Sequence, residues 1–102
     1  MLSISVQKLH EQFGHFTVLD VREKWERDIA CVAGSVHVPL KDIPAKINEL
    51  NQNHSIAVIC HHGGRSSRAA AFLLQHGFTI VYNVDGGIDA WAREIDPSVP
   101  LY

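Results

Sequence analysis

Cysteine is scarce in this chain: its 102 residues hold two, Cys31 and Cys60, far apart and in no Cys-x-x-Cys pair. That scarcity excludes a disulfide-stapled secreted scaffold and a two-cysteine redox motif. Neither sign of charge dominates. Nine Lys and Arg stand against eleven Asp and Glu, for a formal net charge of −2, and no basic run occurs. Nucleic acid and anionic membrane surfaces are therefore not expected partners. No apolar run approaches the roughly 20 residues that cross a bilayer. The opening Met1-Leu2-Ser3-Ile4 lacks the basic and apolar stretches of a secretory signal. The expectation is a cytoplasmic protein folding as one domain over residues 1–102, with 96–102 an extended tail.

Seven histidines invite a metal hypothesis. Neighbours on a tight loop are expected to point apart, which disfavours His61 with His62. His10, His15, His37, His54 and His76 show no ligand spacing. Neither a metal nor another cofactor is expected.

What is present is an alternation of strand and helix. Residues 3–6 suit a short strand, and Val6, Leu9, His10 and Phe13 recur at helical spacing up to Gly14. Residues 16–21, Phe-Thr-Val-Leu-Asp-Val, read as a buried strand, followed by a charged turn or two of helix over 22–28. A short strand at 36–38 ends at Pro39. From Asp42 as N-cap, with Pro44 in the first turn, a helix is predicted to about Leu50 along Ile43, Ile47 and Leu50. Residues 55–59 form the strand that delivers Cys60. The helix over 65–76 is expected to bury Ala69, Phe72 and Leu73, helped by Ala70 and Leu74, and to stop at Gly77. A last strand is placed at 79–82, and a last helix opens at Gly86-Gly87 with Ile88, Trp91 and Ile95. Gly34, Gly86 and Gly87 look like backbone requirements, and Trp25 and Trp91 like packing aromatics. The order predicts an α/β domain with a largely parallel sheet.

The junction of the 55–59 strand and the next helix carries the chemistry. Cys60, His61, His62, Gly63, Gly64, Arg65 and Ser66 follow one another there. In such sheets ligands bind beyond the carboxyl ends of the strands. A thiol at that point meets converging backbone N–H groups and a helix N-terminus, which favour thiolate over thiol. Gly63 and Gly64 permit the tight turn. Arg65 offers positive charge, and Ser66 a further hydrogen bond. Asp20, Arg22 and Glu23 end a neighbouring strand and border the site or, as the simpler reading, fix that turn by an ion pair and a helix cap. Cys31 reads as a free thiol.

The stretch Cys60 to Phe78, CHHGGRSSRAAAFLLQHGF, resembles the active-site loop and following helix of rhodanese-like sulfurtransferases. Three further segments are similar to that family in the same order: VLDVREKWE around Asp20, Arg22 and Glu23, AGSVHVPL from Ala33, and NVDGGIDAW from Asn83. Where the family often has Gly-His-Ile before its Gly-Ala pair, this chain has Ala30-Cys31-Val32. The resemblance implies a five-stranded parallel sheet flanked by helices on both faces. It also implies transfer of a sulfane sulfur from a donor such as thiosulfate, through a Cys60 persulfide, to a cyanide or thiol acceptor. Residues 61–66 would form the persulfide-binding loop.

Two other function classes remain open on sequence. One is a non-catalytic or protein-partnered module for sulfur relay. The other is a cysteine-dependent phosphatase or arsenate reductase, since related folds use a Cys-x5-Arg loop. Cys60 to Arg65 is one residue shorter, sized for a sulfur adduct rather than a phosphoryl group.

Overall fold

Strand and helix alternate along the whole computed structural model, which describes residues 2–102. Five strands form one sheet: β1 (Leu2–Ile4), β2 (Phe16–Asp20), β3 (Val36–His37), β4 (Ser55–Ile59) and β5 (Val81–Val84). Their order is β1-β5-β4-β2-β3 and every pairing is parallel, so β4 is central. The α-helices are α1 (Val6–Glu11), α2 (Lys24–Ile29), α3 (Ile43–Lys46), α4 (Gly64–Gln75) and α5 (Gly87–Glu94).

Period-2 alternation along the strands builds two cores. Val18, Ala57 and Ile59 pack with Val6 and Leu9 of α1 and with Ile88, Trp91 and Ala92 of α5. Their neighbours Leu19, Ile56 and Val58 face the other way, onto Ile43 of α3 and Ala69, Ala70 and Leu73 of α4. Helices therefore cover both faces, as expected. Cys60 continues the second set. Its side chain is delivered beneath the start of α4.

Four expectations are corrected. The last strand runs over Val81–Val84 rather than 79–82. The reason is local: Phe78 is drawn into the α4 core and its N–H closes on the Leu73 carbonyl, while Ile80 is exposed, so the ladder to β4 opens with Val81 opposite Ile56. The 42–50 helix is broken into α3 between 3-10 turns at Leu40–Asp42 and Ile47–Glu49. Asp42 itself has helical dihedrals and makes no side-chain cap, because a cap needs extended backbone there. On α4, Ala70 is buried as expected, but Leu74 is exposed and does not help to fill the core. Trp25 packs edge-on against Tyr102 but is 60% exposed and, unlike Trp91, adds nothing to the core.

Candidate active site

β4 ends by handing Cys60 into a turn that two glycines make possible. Gly63 sits at φ +131°, a region that side chains disfavour, and opens α4. On the other side, α5 begins against the same turn. The N–H of Ile88 donates to the Cys60 carbonyl at 2.8 Å, and that of Asp89 to the His61 carbonyl at 3.2 Å. This approach is so close that a Cβ on Gly87 would lie 2.4 Å from the Cys60 oxygen. Holding both carbonyls against α5 fixes the loop, and the Gly63 N–H points at Cys60 Sγ from 3.1 Å.

Cys60 is 1% exposed yet lines an open cleft of about 400 Å³ with His61, His62, Gly64, Arg65 and Arg68. Ser66 Oγ lies 3.3 Å from Sγ. Burial pushes the thiol pKa up, but the Ser66 hydroxyl and the backbone N–H groups of Ser66, Gly63 and Arg65 outweigh it. The net shift is downward, toward thiolate. The Ser66 proton has competitors: Oγ also reaches the Gly63 carbonyl at 3.1 Å and Asn83 Oδ1 on β5 at 2.5 Å. One hydroxyl holds one proton. Ser66 Oγ can accept from a thiol while its proton goes to Asn83 or to the Gly63 carbonyl, or it can turn that proton to a thiolate.

Arg65 lines the cleft with Cys60, but its guanidinium is committed to a carboxylate. Both its terminal nitrogens bind the Glu26 carboxylate, at 2.5 and 2.7 Å. Glu26 Oε2 also accepts from the Glu23 N–H at 2.9 Å, and Oε1 from the Tyr102 hydroxyl at 2.9 Å. The Arg65 pair holds the Glu26 carboxyl far below its usual range, at about 2, against the opposing effect of burial. Arg65 thereby anchors the first turn of α4 to α2.

Asp20 and Arg22 are brought near but do not line the cleft; both are buried. Arg22 uses all five guanidinium protons: on both Asp20 oxygens at 2.9 and 2.7 Å, the Ala30 carbonyl at 2.6 Å, the Glu26 carbonyl at 3.4 Å and the Tyr102 hydroxyl at 3.0 Å. A buried arginine is tolerable only when satisfied in this way. Arg27 closes on Asp20 at 3.1 Å. The simpler reading of this segment, an ion pair fixing the turn, describes the geometry.

His61 and His62 do not point apart. Their rings stack at 4.0 Å and 29°, and Tyr102 stacks on His61 at 3.9 Å and 6°. The tail folds back and supplies the missing plane. Burial, and then the His62 charge, lower the His61 pKa, so this imidazole is neutral near pH 7. Its Nε2 is buried without a hydrogen-bond partner among the described residues. Ring nitrogens of both histidines lie within 4.8 Å of an Asp89 oxygen. The two imidazole lone pairs lie in separate stacked planes, however, and Asp89 binds Arg93 at 3.0 Å. Cys31 is an exposed free thiol.

Sequence reasoning missed Glu26, Asn83, Arg68 and Tyr102. Glu26 stands three residues after Glu23, a capping spacing that was legible. Arg68 shares a helix face with Gly64, also legible. Asn83 was lost with the misplaced strand, and Tyr102 had no local signal.

Known proteins resemble this chain in sequence and in fold. The Rhodanese-like domain family matches residues 5–94. A rhodanese-related protein from Thermoplasma volcanium, solved as a crystal structure, is 40% identical with a TM-score of 0.89, covering 100% of both chains. The Bacillus subtilis protein named "Putative sulfur carrier protein YrkF" is 45% identical over 78% of this chain and 43% of its own length. A NAD-dependent persulfide reductase from A. fulgidus is 28% identical with a TM-score of 0.74, over 89% of this chain and 16% of that one. The chain spans less than half the length of the curated relatives it matches.

Proposed function

The chain belongs to the rhodanese-like domain family, and from that premise we propose that it is a sulfurtransferase that carries sulfur as a Cys60 persulfide. One observation carries the reading: a buried cysteine at the end of the central strand, its sulfur met by the Gly63 N–H and Ser66 Oγ and open to a cleft. The Cys60 thiolate attacks the outer sulfur of thiosulfate, the S–S bond of the donor breaks, and its electron pair leaves with sulfite. Charge balances, since thiolate and dianion become persulfide anion and sulfite dianion. The N–H of Gly63 and the turned Ser66 hydroxyl then stabilise the terminal sulfur. Attack by cyanide or a thiol on that sulfur restores the Cys60 thiolate.

The names of two relatives, a sulfur carrier and a persulfide reductase, support a protein thiol as the acceptor in the cell. Two free cysteines suit a reducing compartment such as the cytoplasm. The phosphatase reading loses support from Arg65, whose fork is occupied by Glu26 instead of being free for a phosphoryl group. Thiocyanate formation from thiosulfate and cyanide tests the proposal. Wild type is expected to turn over and Cys60→Ala to be inactive, while Cys31→Ala retains turnover. Activity in Cys60→Ala, or Cys60-dependent hydrolysis of a phosphate ester without sulfur transfer, would overturn it.

A further inference from the structure

The cations around the cleft are nearly all engaged. Arg22 and Arg27 serve Asp20, Arg65 serves Glu26, and Arg93 serves Asp89. Arg68 is different. It lines the cleft with Cys60, is exposed, and its guanidinium has no hydrogen-bond or ion-pair partner among the described residues. It stands four residues after Gly64 on α4. Helical side chains lean toward the N-terminus of their helix, so Arg68 leans over the first turn, the end at which Cys60 lies.

We propose that Arg68, rather than Arg65, recognises the sulfur donor, and that the donor is one whose leaving group carries an oxyanion, as the sulfonate of thiosulfate does. This assignment rests on the sulfurtransferase reading above. The outer sulfur is taken by Cys60, so the inner, sulfonate group that departs as sulfite is the part left facing the cleft wall. A free guanidinium binds such an oxyanion bidentately, whereas Arg65 would first have to abandon a buried carboxylate. Arg68 is a specificity residue on this account, and its contribution appears in KM. Because it is exposed, that contribution also falls with ionic strength.

The test compares two donors in wild type, Arg68→Ala, Arg68→Lys and Arg65→Ala, following persulfide formation on Cys60 by intact mass. Thiosulfate has the oxyanion; 2-hydroxyethyl persulfide does not, and releases 2-mercaptoethanol thiolate. Arg68→Ala is expected to raise KM for thiosulfate about tenfold more than for 2-hydroxyethyl persulfide, the loss of one charged hydrogen-bond pair. Arg68→Lys recovers part of the loss. Normal wild-type loading with an unchanged donor ratio in Arg68→Ala, or a ratio altered by Arg65→Ala alone, overturns the assignment. A wild-type chain that takes sulfur from neither donor overturns the sulfurtransferase reading itself, and the assignment with it.

Discussion

Glu26→Gln isolates the ion pair that ties the first turn of α4 to α2, and its pH dependence is calculable. Glu26 is buried with a folded pKa near 2 against an ordinary value of 4.5. Each unit is worth about 1.4 kcal/mol, so ionised Glu26 contributes about 3 kcal/mol to folding at neutral pH. Because the folded pKa is the depressed one, this stability is fully present above about 4.5 and is lost as pH falls toward about 2. Glutamine mimics the protonated carboxyl. The wild type should therefore exceed Glu26→Gln by about 3 kcal/mol in urea denaturation at pH 7, a melting difference of roughly 15 °C for a domain of this size. The gap should narrow between pH 4.5 and 2. A gap below about 1 kcal/mol at pH 7, the range of a surface pair, or one that does not change with pH, would refute the anchoring role of Glu26 and Arg65.

Other outcomes follow from the same geometry. Ser66→Ala removes the strongest group lowering the Cys60 pKa and leaves burial, which raises it. The midpoint of the Cys60 alkylation rate against pH should move upward, and an unmoved or lowered midpoint would show that the hydroxyl does not bind the thiolate. Gly87→Ala sets a Cβ 2.4 Å from the Cys60 carbonyl oxygen and 2.5 Å from that of His61, on a backbone at φ +60°. It should cost several kcal/mol and lower the melting temperature by more than about 10 °C; a wild-type melting curve would mean that α5 does not clamp the loop.

The parts of the fold that sequence alone revealed are those where one residue does one job. β4 is apolar at four of its five positions because helices cover it on both sides, and it was placed without error. Cys60 with Gly63 was equally legible, since a thiol and a glycine at a strand end have few joint uses. The partner of Arg65 was not legible, for the opposite reason. A guanidinium serves an incoming anion or a resident carboxylate equally well, and the choice depends on Glu26, which lies 39 residues away. His61 and His62 stack because Tyr102 arrives from the far end of the chain. No local pattern encodes that arrival. β5 was set two residues early because Phe78, Thr79 and Ile80 have strand character, yet packing of Phe78 under α4 took precedence over propensity.

The most direct test of a Cys60 persulfide intermediate is stoichiometric. The chain is mixed with excess thiosulfate and no acceptor, and sulfite release is measured alongside intact mass. The double-displacement account predicts one equivalent of sulfite per chain and one added sulfur, lost on addition of cyanide and absent in Cys60→Ser. Sulfite that appears only when cyanide is also present, with the protein mass unchanged throughout, would contradict it.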